Sequence, residues 1–374
     1  MKVLVIGRDL NLFVPESENY KRVKEYAELF TEYHVINMVG GKHLPMVDGK
    51  LFIWPTNSFL LLFAWFDAFR LGFGLAGKRS LKVVDAQDPA EAGLAAFLVA
   101  KFCHLPLRLQ IHTDILNPYF RRASWKERIR YWLARFIIPR ADHLRVVSER
   151  IKKTLIGLGI PGSRITVLPI FTDVSRFLKA ARDPETDQRL QEYDFKMIAV
   201  GRFVDKEKNF SMLLKIMADL VKIHPKLLLV LMGDGPDRSF YEKEMQNLGL
   251  AKNVIIEGWR SDFPAFYKSF DLFLLSSNYE GWGRVVIEAM ASGLPIVMTD
   301  VGLAGEIVKN KENGIIIEVG NARAFSKAII EIAQNKEKKL LLATRALVTA
   351  RSLNLPSRTE YLKKYREVLF CCKK

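Results

Sequence analysis

Two glutamates separated by seven residues, Glu280 and Glu288, stand in the stretch Ser276-Ser277-Asn278-Tyr279-Glu280-Gly281-Trp282-Gly283-Arg284-Val285-Val286-Ile287-Glu288-Ala289-Met290-Ala291-Ser292-Gly293-Leu294-Pro295. The stretch follows an apolar run, Leu272–Leu275, and opens a helix near Gly283. Gly281 and Gly283 let backbone approach a ligand closely and free the first-turn amides to face an anion. Glu288 lies about one turn into that helix and shares a face with its amide-lined start. Glu280 sits on the loop before it. Carboxylates accept hydrogen bonds from sugar and ribose hydroxyls while helix amides take a phosphate, so the unit suits a ligand with both. Gly293 and Pro295 then end the helix.

Other residues of the right types cluster at strand ends. In Val200-Gly201-Arg202-Phe203-Val204-Asp205-Lys206-Glu207-Lys208-Asn209, Arg202 and Lys208 can converge on one diphosphate, with Lys206 competing for the lysine role. Met232-Gly233-Asp234-Gly235-Pro236 is a turn after a strand. Trp259, in Glu257-Gly258-Trp259-Arg260, either packs at a strand end or meets a ligand. His112, in Gln110-Ile111-His112-Thr113-Asp114, ends an apolar strand; Asp114 either joins it or caps the next turn.

The stretch from Glu280 to Pro295 keeps the pattern E-G-x-G-x-x-x-x-E-A-x-A-x-G-x-P in full and resembles the family 4 retaining glycosyltransferases of the GT-B fold. The resemblance implies transfer of a sugar from a nucleotide-diphosphate sugar to an acceptor hydroxyl, with retention at the anomeric carbon. Glu288 would hold the ribose hydroxyls, Glu280 the donor sugar, and the backbone around Gly283, Arg284 and Val285 other donor groups. Arg202 and Lys208 would take the diphosphate in place of a metal, and no Asp-x-Asp triplet is present to hold a cation. Gly233 would join the donor site, Gly258, Trp259 and Arg260 would cradle the base, and His112 would contact the transferring sugar. Two stretches depart from the family: Ile170, Phe171 and Thr172 replace Asn, Gly and Val, and Arg8-Asp9-Leu10-Asn11 replaces a Gly-Gly turn. The second departure leaves the acceptor class open.

The elements that must hold these residues alternate. Strands at Val3–Gly7, Tyr33–Val39, Leu81–Val84, Leu107–His112 and Leu144–Val147 interleave with helices at Asn19–Phe30 and Gly93–Cys103, as βαβ units do. A polar stretch from Lys179 to Asp194 reads as a boundary. A second series then runs through Lys196–Gly201, Leu227–Met232, Val254–Ile256, Leu272–Leu275, Ile296–Thr299 and Ile315–Ile317. The expected fold is α/β: two Rossmann-like, doubly wound parallel-sheet domains, 1–175 on the acceptor side and 176–355 binding the donor, facing across a cleft. A candidate amphipathic helix at 356–370 packs back on the first domain.

The 374 residues carry 57 Lys and Arg against 41 Asp and Glu, a formal charge of +16, which favours phosphate-bearing partners without choosing among them. Cys103, Cys371 and Cys372 lack metal-ligand spacing and read as free thiols in a reducing compartment. MKVLVIG is a strand rather than a signal peptide, so the expected location is cytoplasmic. Phe59–Phe73 is either a helix buried on the first sheet or an interfacial one, helped by Lys78, Arg79 and the basic run Arg121 to Arg135 with Trp125, Tyr131 and Trp132 interleaved. The second reading suits peripheral contact with an anionic membrane at its inner face and a lipid-linked or other cell-envelope glycan acceptor. An alternative function is a sugar-nucleotide epimerase of GT-B-like fold. Another class, a basic nucleic-acid-binding protein, lacks a supporting motif. An NAD-dependent dehydrogenase is disfavoured by the missing G-x-G-x-x-G turn after the first strand.

Overall fold

The computed structural model describes residues 1–260, 262–353 and 356–370. Cys371 and Cys372 lie outside the described residues. The chain forms two compact units, Met1–Pro169 with the stretch from Pro356 onward, and Ile170–Leu355.

Unit 1 holds β1 (Lys2–Gly7), β2 (Glu32–Asn37), β3 (Met46–Asp48), β4 (Leu51–Pro55), β5 (Val83–Ala86), β6 (Leu107–Ile111), β7 (His143–Val146) and β8 (Ile165–Val167). Their order is β3-β4-β2-β1-β5-β6-β7-β8. All neighbours are parallel except β3, which pairs antiparallel with β4. The winding reverses at β1, flanked by β2 on one side and β5 on the other.

Unit 2 holds β9 (Phe195–Val200), β10 (Leu227–Met232), β11 (Val254–Glu257), β12 (Leu272–Leu275), β13 (Ile296–Thr299) and β14 (Ile315–Ile317), in the all-parallel order β11-β10-β9-β12-β13-β14. β10 reads LLLVLM with every residue buried, as a strand covered by helices on both faces requires. The winding reverses between β9 and β12, so the loops leaving these two strands are neighbours at a point where such sheets bind ligands.

The break between units falls after Pro169, ahead of the expected 175. The helix Val174–Lys179 explains the shift, because its Phe177 packs edge-on against Phe263 and Tyr267 of unit 2. The polar stretch 179–194 is likewise part of unit 2 rather than a linker. It forms the helix Pro184–Arg189, whose Arg189 Nη2 lies 3.0 Å from Glu257 Oε2.

The helix Arg358–Phe370 is held in unit 1 by a buried polar network. Tyr365 stacks on Tyr26 and its hydroxyl meets that of Tyr33 at 3.1 Å. Arg145 Nη2 donates to Tyr361 Oη at 2.7 Å, and its Nη1 donates to Gln110 Oε1 at 2.5 Å. Asp85 accepts from Arg108 Nε (2.6 Å) and Gln110 Nε2 (2.5 Å). The Arg108 guanidinium lies 5.6 Å from the centre of the Tyr365 ring, a cation–π contact for a group whose two terminal nitrogens have no acceptor among the described residues.

The segment 59–73 is buried on the first sheet only along one face. A 3-10 turn at Leu61–Phe63 leads into the helix Ala64–Arg79, which packs inward through its small residues Ala64, Ala68 and Gly72. At Gly72 a Cβ would stand 2.7 Å from Val99 of the next helix, so only glycine permits the approach. The large residues point outward: Phe59 is 99% exposed, Leu62 72% and Phe66 50%. The helix Trp125–Ile137 repeats the pattern, with Trp125, Ile129, Trp132 and Phe136 exposed at one-turn spacing.

Candidate active site

In unit 2 the loops after β9 and β12 are stitched together. Ser276 Oγ donates to the Lys208 carbonyl (2.7 Å), the Asn278 amide to the Glu207 carbonyl (2.8 Å), and Asn209 Nδ2 to Asn278 Oδ1 (3.2 Å). Thr299 Oγ1, from β13, donates to the Ser277 carbonyl at 2.6 Å. These bonds carry Lys208 to Glu280: Lys208 Nζ donates to Glu280 Oε1 at short range and pairs with Glu207 Oε1 at 2.9 Å. Ser277 Oγ also donates to Glu280 Oε1, at 3.5 Å. Lys208 is buried whereas Lys206 is exposed, which separates the two competing lysines.

Burial by itself would lower the Lys208 pKa, but the carboxylates of Glu280 and Glu207 outweigh it and hold the ammonium charged well above its usual range. Burial pushes Glu280 up, and Lys208 pulls against that. Arg202, on the same loop, is exposed and has no carboxylate paired with it among the described residues.

The helix Arg284–Ala291 starts at Gly283, whose φ of +88° caps it in the left-handed region. The amides of Arg284 and Val285 belong to the first turn and have no partner within the helix. Arg284 Nε binds Glu288 Oε1 at 2.9 Å, while Glu288 Oε2 is buried with no hydrogen-bond partner among the described residues. Burial raises the Glu288 pKa, and Arg284 and Arg176 oppose it. A buried carboxylate oxygen left unsatisfied costs about 1–3 kcal/mol, which donors from a ligand would recover. The buried indole Nε1 of Trp282, on the same loop, also lacks an acceptor among the described residues.

Gly233 abuts the loop after β9. With φ at +148°, a Cβ there would fall 1.9 Å from the Gly201 carbonyl oxygen, so the Gly-Asp-Gly-Pro turn keeps the two strand ends in contact. Beyond β11, Gly258 faces open space and Trp259 is 60% exposed, so simple packing does not account for the indole. Arg260 is engaged at home, with Nε 2.8 Å from Asp262 Oδ1 and its guanidinium 4.6 Å from the centre of the Phe266 ring.

His112 and Asp114 belong to unit 1. His112 is half-buried just past β6, and burial with Arg145, Arg22 and Arg108 lowers its pKa to about 3, leaving the imidazole neutral. Asp114 is buried and accepts from Asn117 Nδ2 at 3.4 Å, closer to the turn-capping reading. Asp173, in the stretch that departs from the family pattern, caps the helix Val174–Lys179 by accepting from the Ser175 amide.

Sequence reasoning brought together Lys208, Arg202, Glu280 and Glu288 but missed Glu207, Ser277 and Arg176. A buried lysine demands counter-charge, and Glu207 beside it in sequence was the available signal. A shallow depression of about 540 Å3 lies along Arg176, Lys179 and Pro264, and Lys208, Glu280 and Glu288 do not line it.

Comparison with known proteins agrees with the geometry. The family described as glycosyl transferases group 1 matches residues 183–346, and the glycosyl transferase 4-like domain matches 43–170. The lipopolysaccharide core biosynthesis glycosyltransferase LpsE of Rhizobium meliloti is 33% identical over 149 residues, 40% of this chain and 42% of that protein. The UDP-Gal:alpha-D-GlcNAc-diphosphoundecaprenol alpha-1,3-galactosyltransferase of Escherichia coli is 24% identical over 239 residues, 62% of each. The chain thus spans between 42% and 62% of the length of these two relatives. The crystal structure of Anabaena HepE in complex with UDP-glucose matches with a TM-score of 0.74 and 19% identity over 99% of both chains, a likeness of fold. With one glycosyl transferase domain matched in each unit, the chain belongs to the family 4 glycosyltransferases of the GT-B fold.

Proposed function

We propose that the protein moves a sugar from a nucleotide-diphosphate sugar to an acceptor hydroxyl with retention. The observation that carries the reading is the Glu288 carboxylate: buried, short of one partner among the described residues, and on the helix whose first-turn amides, Arg284 and Val285, have no partner within it. Ribose hydroxyls satisfy the carboxylate while the amides meet donor oxygens. Glu280, oriented by Lys208 and Ser277, accepts from a hydroxyl of the donor sugar. Trp259 offers an aromatic face to the base, with Gly258 leaving room.

In the transfer the bond from the acceptor oxygen to the anomeric carbon forms on the face from which the bond to the diphosphate oxygen breaks. The acceptor proton passes to that departing oxygen. Lys208 and Arg202 stabilise the charge that develops there, so no divalent cation is needed. His112, neutral, hydrogen-bonds the transferring sugar. The names of the relatives favour a lipid-linked or cell-envelope glycan as acceptor, and UDP donors are the first to test.

Among the described residues no helix is long and apolar enough to cross a membrane. The exposed aromatic stripes at 59–73 and 125–136, with Lys126, Arg128 and Arg135 on the second helix, instead fit peripheral contact with an anionic membrane at its cytoplasmic face.

Incubation with a panel of nucleotide sugars, anionic vesicles carrying glycolipid and EDTA tests the proposal, read by NMR of the product. A product that keeps the donor's anomeric configuration is expected. An inverted product, a requirement for added metal, or an epimerised nucleotide sugar formed without acceptor contradicts it.

A further inference from the structure

One ammonium in unit 2 answers two carboxylates. Lys208 Nζ donates to Glu280 Oε1 at short range and lies 2.9 Å from Glu207 Oε1, so two of its three N–H groups are committed within the protein. Its place is fixed from other sides as well. The stem runs along Gly201, where a Cβ would stand 3.1 Å from Lys208 Cε, and the Lys208 carbonyl accepts from Ser276 Oγ at 2.7 Å.

A buried lysine needs one counter-charge, and Glu280 supplies it. Glu280 is the more enclosed of the two acids, its side chain 13% exposed against 31% for Glu207, and it accepts from Ser277 Oγ besides. Glu207 therefore exceeds what burial of the lysine demands. One positive and two negative charges leave the trio net negative. The other acid of the same short helix is engaged differently: Asp205 accepts from the Ser211 amide (3.0 Å), Ser211 Oγ (2.7 Å) and Tyr241 Oη (3.0 Å) at the start of the helix Phe210–Leu220. The Glu207 carboxylate is turned on Lys208 instead.

Such an excess opposes an anionic ligand at the same ammonium. A diphosphate brought to Lys208 and Arg202 meets a cation already shared by two acids, one more than its burial requires. The opposition bears hardest on the product. Breaking the bond between sugar and diphosphate turns a bridging oxygen into a terminal one, and a terminal phosphate titrates near about pH 6. The nucleoside diphosphate thus gives the acceptor proton up to water and becomes more anionic than the donor was. A tighter grip on donor and product alike adds nothing to turnover at saturating donor, because release then limits the rate.

We propose that Glu207 acts through Lys208 to loosen the hold on the diphosphate, so that the nucleoside diphosphate left after transfer is released rather than retained. The identity of the ligand rests on the transferase reading. Glu207 touches neither sugar nor phosphate. It sets how much of the lysine's charge remains for the ligand, while Glu280 orients the same ammonium from the opposite loop.

Equilibrium titration of UDP, GDP, ADP, CDP and dTDP, each beside its nucleoside at higher concentration, into wild type, Glu207→Gln and Glu207→Asp tests it. The glutamine keeps an oxygen that accepts from Lys208 and removes the charge. Glu207→Gln binds the preferred diphosphate about fivefold or more tightly than wild type, the effect of one charge a few ångströms away in a watery setting. It binds the nucleoside as wild type does. Glu207→Asp, which restores the charge, returns the diphosphate affinity towards the wild-type value. Unchanged or weaker diphosphate binding by Glu207→Gln overturns the proposal, since a residue that only holds Lys208 in place gives that result. An equal gain for the nucleoside, or the same gain in Glu207→Asp, overturns it too. Diphosphate binding by wild type without the gain in Glu207→Gln sinks this inference alone. If no diphosphate binds any of the three proteins, the transferase reading falls and this inference with it.

Discussion

In unit 2, β10 and β12 are apolar throughout, and Lys208, Glu280 and Glu288 all stand on the loops and helix beyond the strand ends. In unit 1 the strands themselves carry Asp85, Arg108, Gln110 and Arg145 into the interior, where Tyr361 and Tyr365 meet them. The two sheets share a winding rule and use buried charge for opposite ends. Unit 2 concentrates it where a ligand can complete it, and Glu288 Oε2 is left short of a partner there. Unit 1 spends it on holding its own distant helix, whose Tyr365 is separated from Gln110 by 255 residues of sequence. A charge that waits for a ligand should matter to chemistry; one already answered by tyrosine and glutamine should matter to stability.

The largest effect is expected at Lys208. Lys208→Met removes the cation proposed to face the diphosphate and is expected to lower kcat by on the order of 100- to 1,000-fold. It also leaves Glu280 buried without its counter-ion and costs about 3–5 kcal/mol of stability. Adding Glu280→Gln restores much of the stability, measured by urea unfolding, and none of the rate. Recovery of rate by the double variant would mean that the pair is structural only.

A smaller effect belongs to unit 1. Tyr361→Phe deletes the 2.7 Å bond to Arg145 and lowers stability by about 1.5–3 kcal/mol, with nucleotide-sugar affinity unchanged. A fall in that affinity alongside the stability would break the division of labour between the units.

Much of unit 2 was legible in the sequence. Leu227–Met232, Leu272–Leu275, Ile296–Thr299 and Ile315–Ile317 form strands over the expected residues, because a strand covered on both faces must be apolar without interruption. The loop and helix carrying Glu280 and Glu288 were legible through their glycines and their long pattern. Unit 1 was harder. The hairpin of β3 and β4 went unread although Asp48-Gly49 marks its turn, because both strands are short and only half covered and β3 is the edge of the sheet. The pairing of Asp85 with Arg108 and Gln110 was hidden, since a polar residue in an apolar run does not announce a partner on the next strand. Phe59–Phe73 was ambiguous because small residues every fourth position and large ones between them both fit a helix. Packing alone decides that Ala64, Ala68 and Gly72 turn inward.

The central claim is that Glu288 awaits a nucleotide sugar, and equilibrium binding to wild type and Glu288→Gln tests it most directly. The glutamine keeps the shape and loses the charge. The account predicts that wild type binds at least one nucleotide sugar, and that Glu288→Gln binds it about tenfold or more weakly at unchanged stability, as one hydrogen bond to a charged group is lost. Equal affinity in the two proteins, or no nucleotide sugar bound by wild type, would contradict it.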